Sequence, residues 1–359
     1  MKKFDFVIAG QGLAGTVLGY TLEEKGASVY YVNQAKKTCS SSVAAGIFNP
    51  ITGKKMVLTW SAEKLFPYLT RFYQNLEKHL GTSFFYPLPL IRPYASIEEQ
   101  NYWEGRMSEK EIQKFVHSES IASSCNTYLH APFGGFEIDM AGWVDLPVLL
   151  KSYYEKSLRH NIYEEGAFEY HDLKESDGGY QWNGVEAKGI IFCEGSASVE
   201  NPFFNWLPFS LSRGDILTIE SDELPSDKIV NKGGVFVVPI GGNKFRTGST
   251  YERHFTDPGP SEKGKKEILE KLEKILKVPF TVIAHHSGVR PAVRDRRPLL
   301  GAHPERKNMY IFNGLGAKGV SLAPYFAEEL TNLILFNKEP DIDVNIRRFY
   351  TLYKPASQS

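Results

Sequence analysis

Cysteine is scarce: Cys39, Cys125 and Cys193 are the three in 359 residues. None stands at Cys-x-x-Cys spacing or in a cysteine–histidine pattern that would hold zinc, which argues against a disulfide framework and a thiolate metal site. Such usage reads as a reducing, cytosolic compartment. Long hydrophobic runs are missing as well. The apolar run after Met1-Lys2-Lys3 breaks at Gly10-Gln11-Gly12, and nothing approaches the ~20 apolar residues that span a bilayer. A soluble protein without export or membrane attachment is expected. Charge of one sign is also lacking, since 42 basic and 42 acidic side chains cancel. No global field therefore draws the chain toward nucleic acid or an anionic membrane, and a basic patch has to be argued locally. With 42% hydrophobic and 23% charged residues, disorder is excluded. At roughly 150 residues per domain the length suits about two domains.

The chain opens with an apolar run, Phe4 to Ala9, a glycine cluster, a helical pattern through Val17, Leu18 and Leu22, and a second β-prone run at Val29 to Val32. This is one βαβ unit and the start of a parallel sheet. Leu65, Leu69, Phe72 and Leu76 mark one face of a helix ending near Gly81. The proline-punctuated aromatic run from Phe84 to Tyr94 suits edge strands of a different, antiparallel sheet. A capped helix with Asp145 near its start is expected over 142 to 159, then strands to Cys193 that return to the first sheet. Alternating runs between 210 and 285, with turns at Gly233-Gly234 and Gly241-Gly242, predict an antiparallel sheet accompanied by a lysine-rich helix over 262 to 277. A strand at Met309 to Phe312, a glycine loop and a helix from Ala323 to Phe336 close the sequence.

Gly10-Gln11-Gly12-Leu13-Ala14-Gly15 is G-x-G-x-x-G between a strand and a helix. Gly10 permits the tight turn, Gly12 lets backbone approach a pyrophosphate, and Gly15 allows close packing of helix on strand. The carboxylate that normally holds the ribose at the end of the second strand is replaced by Asn33-Gln34, where an amide can still accept one hydrogen bond. Further on, Ser40-Ser41-Ser42-Val43-Ala44-Ala45-Gly46-Ile47 is a small-residue segment suited to pressing backbone against a flat cofactor.

These features, with Ile190 to Ser198, Leu211-Ser212-Arg213-Gly214-Asp215, Val235 to Pro239, Thr247 to Glu252, Gly288-Val289-Arg290-Pro291 and Asn313 to Ser321, occur in one order along almost the whole chain. Their succession resembles the FAD-dependent D-amino-acid oxidase, glycine oxidase and sarcosine oxidase superfamily. The resemblance implies an α/β plus α+β fold: a discontinuous Rossmann-like FAD-binding domain over 1–84, 142–209 and 286–359, and an antiparallel-sheet substrate domain over 85–141 and 210–285. It implies cofactor contacts at Gly10, Gly12, Leu13, Ala14, Gly15, Asn33, Gln34, Ser41, Ser42, Ala45, Gly46, Gly195, Gly314, Gly316, Lys318, Gly319 and Val320. Lys318 could add a cation beside the flavin.

Arg290 stands where related enzymes pair an arginine with the substrate carboxylate, a task suited to the planar guanidinium fork. Arg294 could share it, although the run Arg290, Arg294, Arg296 and Arg297 would equally suit a phosphate or RNA backbone. Phe236 replaces the tyrosine that glycine oxidases carry, and Tyr251 could reach the same cavity. His285-His286 reads as structural, because this amine oxidation needs no protein base. The resemblance implies oxidation of a small amine or amino acid, with dioxygen or another acceptor reoxidising FAD. Two alternatives stay open. The segments Ala45 to Pro50, Gly316 to Pro324 and Arg347 to Tyr350 resemble the oxidase half of the bifunctional enzyme that removes carboxymethyl from a tRNA wobble uridine, without room for its methyltransferase half. The other alternative is a flavin-binding dehydrogenase subunit without oxidase activity. No cysteine follows Arg290-Pro291 where sarcosine oxidases attach their flavin. Acid precipitation of the holoprotein is therefore expected to leave FAD in the supernatant, and flavin retained in the pellet would overturn noncovalent binding.

Overall fold

The computed structural model describes residues 1–34, 39–53, 57–117 and 125–355. Its first sheet has eight strands. Tyr163–Glu165, Val29–Asn33, Lys2–Ala9 and Val185–Phe192 lie side by side in parallel, and Met309–Asn313 adds a further parallel strand beside Val185–Phe192. The hairpin of Lys174–Ser176 and Gly179–Trp182 extends the sheet antiparallel, turning at Asp177-Gly178. Alternation along the opening strand decides its two faces. Phe6 and Ile8 pack with Val17, Leu69 and Phe326 from three of the long helices, whereas Val7 and Ala9 pack with Phe168, Phe204 and Leu207.

The helix Ala62–Leu80 buries Leu65, Leu69, Phe72 and Leu76 along one stripe and stops at Gly81, whose φ of 64° takes the left-handed cap. Asp145 caps the helix Leu146–Arg159, its carboxylate accepting from the Val148 N–H at 3.4 Å. Gly142–Val144, expected within that helix, is instead the centre of a three-stranded sheet between Ile47–Phe48 and Phe85–Pro87. The final helix begins at Gly319, earlier than the apolar pattern suggests, and carries Pro324 in its first turns. The proline removes the N–H that would bond the Val320 carbonyl, and that carbonyl instead accepts from the Tyr73 hydroxyl at 2.9 Å.

The second large sheet also has eight strands, ordered Thr281–Arg290, Ser212–Glu220, Lys244–Gly248, Val235–Pro239, Ile229–Lys232, Leu90–Pro93, Gly135–Ile138 and Val116–His117. It is antiparallel except where Ile229–Lys232 runs parallel to Leu90–Pro93. That junction corrects the expectation of edge strands over 84 to 94. Phe85–Pro87 is an edge, but Leu90–Pro93 is interior and wholly buried, with its proline at the strand end where one N–H is dispensable. One face of this sheet packs with Ile268 and Leu272 of the helix Glu262–Glu273. The opposite face turns toward the first sheet.

His303 lies behind the first sheet between Phe204 and Tyr353, and its Nδ1 accepts from the Glu305 and Arg306 N–H groups at 3.1 and 3.0 Å. Burial, helped by Arg306, pushes its pKa down from 6.5 to about 4. The native state thus keeps the ring neutral while the unfolded chain takes up a proton, so this contribution is intact above pH 6.5 and is lost as pH falls toward about 4. Urea melts are expected to show up to about 3 kcal/mol of destabilisation across that window, and His303→Gln to flatten the dependence.

Candidate active site

A cavity of about 800 Å³ lies between the two large sheets and draws its walls from both. At one end is the glycine loop. Gly10 has φ +99°, and a Cβ there would lie 2.5 Å from the Cys193 carbonyl oxygen. A Cβ on Gly15 would sit 1.9 Å from the Gly10 carbonyl oxygen, so Gly15 locks the helix against the loop and does not itself line the cavity. Gly12, Leu13 and Ala14 do line it. No side chain of the loop caps the helix. The distant Ser41 does so instead, its hydroxyl accepting from the Leu13 N–H at 3.1 Å, while a Cβ on Gly12 would crowd that hydroxyl at 3.2 Å. Ala45 and Gly46 continue this wall, but Ser42 turns away and donates to the Cys39 carbonyl at 2.9 Å.

Asn33 and the exposed Gln34 stand at the rim. The Asn33 Oδ1 accepts from the Gln11 N–H at 2.9 Å, so this amide ties the glycine loop to the second strand. Sequence reasoning missed the carboxylates beside them. Glu169, Glu194 and Glu200 all line this end, next to Gly195. Glu194 accepts from the Tyr170 hydroxyl at 2.6 Å and the Asn201 Nδ2 at 2.7 Å. Its position just before the glycine of the strand-to-glycine motif was the available signal.

At the other end the wall is made by the second sheet and the C-terminal loop. Gly316, Lys318, Gly319 and Val320 line the cavity; Gly314 is set back, with φ +73° and a Cβ that would meet Val293 at 2.6 Å. The Lys318 Nζ donates to the Thr52 and Thr59 hydroxyls at 2.9 and 3.4 Å. Burial, together with the Arg297 and Arg296 charges, holds its pKa below 10.5.

Arg290 emerges from the end of its strand into the space left by Gly214, where a Cβ would come within 2.0 Å of Nη2. Its Nη2 donates to the Ser249 hydroxyl at 2.7 Å and the Thr250 carbonyl at 3.1 Å. Its Nη1 is buried and has no hydrogen-bond partner. Phe236 lines the same space. Tyr251 and Arg294 do not. Tyr251 is 55% exposed and lies under the guanidinium at 5.5 Å, on the side away from the cavity lining. Arg294 is exposed and touches Pro208 only through its backbone N–H, while Arg297 stacks on Trp60 at 4.2 Å. The arginine run therefore splits after its first member, because the chain turns there and Arg296 takes a φ of 59°.

The histidine pair stays outside the cavity lining: His285 Nε2 lies 2.9 Å from the buried Asp215, which also accepts from the Ser261 N–H and the Thr250 hydroxyl. Among the described residues no cluster of side chains could hold a metal ion, and no helix is long and apolar enough to cross a membrane.

A G-x-G-x-x-G turn on a parallel sheet, opening into a cavity roofed by a second sheet, defines a dinucleotide-binding protein. The chain belongs to the FAD dependent oxidoreductase (DAO) family, whose model matches residues 5–333. Glycine oxidase of Geobacillus kaustophilus is 23% identical over 349 residues, covering 90% of each chain. The bifunctional tRNA 5-methylaminomethyl-2-thiouridine biosynthesis protein MnmC of Marinobacter nauticus is 23% identical over 356 residues. That match takes in 91% of this chain and 55% of the relative, so the chain spans about half the length of the bifunctional proteins. Iminodiacetate oxidase from Chelativorans sp. BNC1 shares the fold with a TM-score of 0.79 at 21% identity, over 96% of this chain and 98% of the other. The crystal structure of the Geobacillus glycine oxidase matches with a TM-score of 0.79 at 19% identity, over 97% and 98%. The residues present fit FAD: a Cβ is excluded at Gly10 and Gly15, where the backbone must close.

Replacing Gly15 by alanine forces the helix off the loop. The expected result is a fall in flavin bound per chain, read as the ratio of visible to ultraviolet absorbance, and full retention would reject the packing argument.

Proposed function

We propose that the chain oxidises a small carboxylated amine, an amino acid or N-carboxymethyl amine, at the carbon next to nitrogen. The observation that carries this is Arg290, a half-buried cation in the cavity wall whose Nη1 is buried and unpartnered. An unmatched buried donor is costly unless a ligand meets it, and a carboxylate meets a guanidinium with two parallel charge-assisted bonds. Ser249 and Thr250 already fix Nη2, so the fork is oriented before substrate arrives. FAD, when bound, supplies the two-electron acceptor that takes hydride from the carbon beside nitrogen. The substrate also gives up the proton on nitrogen, leaving an imine that water converts to a carbonyl compound and an amine. With dioxygen as final acceptor, two electrons and two protons leave as hydrogen peroxide. No protein base is assigned, since His285 is engaged by Asp215. Lys318, in the cavity wall, would hold positive charge available to a reduced flavin.

We assign cofactor binding to 1–84, 142–209 and 286–359 and substrate binding to 85–141 and 210–285, with the strand Thr281–Arg290 running unbroken through the junction. The similarity to bifunctional MnmC proteins favours one second reading, removal of carboxymethyl from a modified tRNA uridine, for which the exposed Arg294 and Arg296 would meet phosphate.

Anaerobic additions of glycine, sarcosine, D-amino acids, L-proline and iminodiacetate, then of unmodified and carboxymethylaminomethyl-modified tRNA, separate these. Bleaching of the flavin by a free amine supports the first reading, and bleaching by modified tRNA alone moves the function to RNA. Bleaching by amine followed by slow recovery in air marks a dehydrogenase. In Arg290→Ala, flavin content is expected to hold while kcat/KM for the carboxylated amine falls by roughly 100-fold or more; unchanged reduction rejects the carboxylate role.

A further inference from the structure

The cavity wall holds a second arginine that neither the glycine loop nor the Arg290 site accounts for. Arg92 lies on the interior strand Leu90–Pro93, is only 8% exposed, and lines the cavity. Among the described residues it makes one hydrogen bond, Nη2 to the Gly53 carbonyl at 2.9 Å, and no ion pair. Glu99 bears on it electrostatically without forming an ion pair, and its carboxylate also accepts from the Ala95 N–H. A guanidinium has five N–H donors. Most of these donors meet no protein acceptor, and a guanidinium at such a place is stabilised by an anion that fills them.

Strand register connects it to Arg290. Ile91 pairs with Val230, so Arg92 stands beside Asn231; Asn231 pairs with Phe236, and Phe236 with Gly248. Residues in one row across a sheet share a face. The next residue after Gly248 is Ser249, which holds Arg290. Arg92 thus stands at one end of a row that crosses three ladder steps to Gly248, about 14 Å of backbone at ~4.8 Å per step, and the Arg290 guanidinium is held by the residue just beyond that far end. Both arginines line the same cavity. Asn231 and Phe236, which separate the two arginines, also line the cavity.

We propose that Arg92 forms a second carboxylate subsite, making the preferred substrate a small amine with two acidic ends, one held by Arg290 and the other by Arg92. This rests on the amine-oxidation reading for its chemistry, whereas the ligand preference stands on the two arginines alone. Phe236 fits the scheme: where a hydroxyl would serve a single carboxylate, an apolar ring separates two polar anchors.

The test uses flavin-loaded protein and two unreactive ligands, glutarate and butyrate, whose binding is read from the perturbed visible spectrum. Glutarate is expected to bind at least about tenfold more tightly than butyrate. Arg92→Gln should abolish that advantage and leave butyrate unchanged, and Arg92→Lys should restore part of it. In turnover, Arg92→Gln should raise KM for iminodiacetate about tenfold or more, with kcat and the sarcosine KM within about twofold. Glutarate no tighter than butyrate in the wild type overturns the proposal even if a variant fails to hold flavin, as does equal weakening of both ligands in Arg92→Gln. Glutarate preference without reduction by any amine supports the subsite and rejects the amine oxidation, so the two failures are distinguishable.

Discussion

Everything in this molecule is referred to one close approach of backbone: Gly15 stands over the Gly10 carbonyl, and Gly10 against the Cys193 carbonyl, where neither position has space for a Cβ. That approach seats the first helix against the ends of two parallel strands and points its N-terminus into the cavity. The Ser41 hydroxyl then caps the helix from outside the βαβ unit and draws the small-residue segment over the loop. Asn33 fastens the opposite side through the Gln11 N–H. One steric constraint thereby fixes the strand, the helix and the wall that faces them.

The second organising fact is electrostatic. Arg92, Arg290 and Lys318 line a cavity between two sheets, and none of them forms an ion pair with a carboxylate among the described residues. Hydroxyls and carbonyls steady each cation without neutralising it. Thr52 and Thr59 serve Lys318, Ser249 and Thr250 serve Arg290, and Gly53 serves Arg92. A fold tolerates such positive charge only where its large cores supply the stability, and both sheets are backed by extensive apolar clusters. The opposite choice is made at the Glu169, Glu194 and Glu200 end, so the cavity is polarised along its length. Negative groups at one end and cations at the other suit an elongated cofactor and an anionic substrate meeting inside.

Much of the architecture was legible in the chain because the signals are local. The period of Leu65, Leu69, Phe72 and Leu76, the Gly81 stop, the Asp145 cap and the glycine turns all act within a few residues, and each appears where its chemistry demands. The misreadings came from pairings between distant segments. Nothing near Leu90 announces that Ile229 will lie alongside it in parallel, so an interior strand read as an edge. Gly142 looked like the start of a helix because its partners, Phe48 and Pro87, are remote in sequence.

By itself the sequence determined the cofactor loop and the two kinds of sheet, since each follows from residue type and spacing, while the arginine at the end of the Thr281–Arg290 strand was singled out by its resemblance to a known motif. Only the tertiary structure decided which charges share the cavity. It turned Arg294 and Tyr251 out of the lining, withheld Gly15, Ser42 and Gly314 from it, and admitted Arg92, which no motif singled out, and Glu194, which its motif gave no role. The reason is physical: burial and the absence of a counter-ion are properties of a place between two sheets, and that place exists only after residues far apart in the chain have packed together.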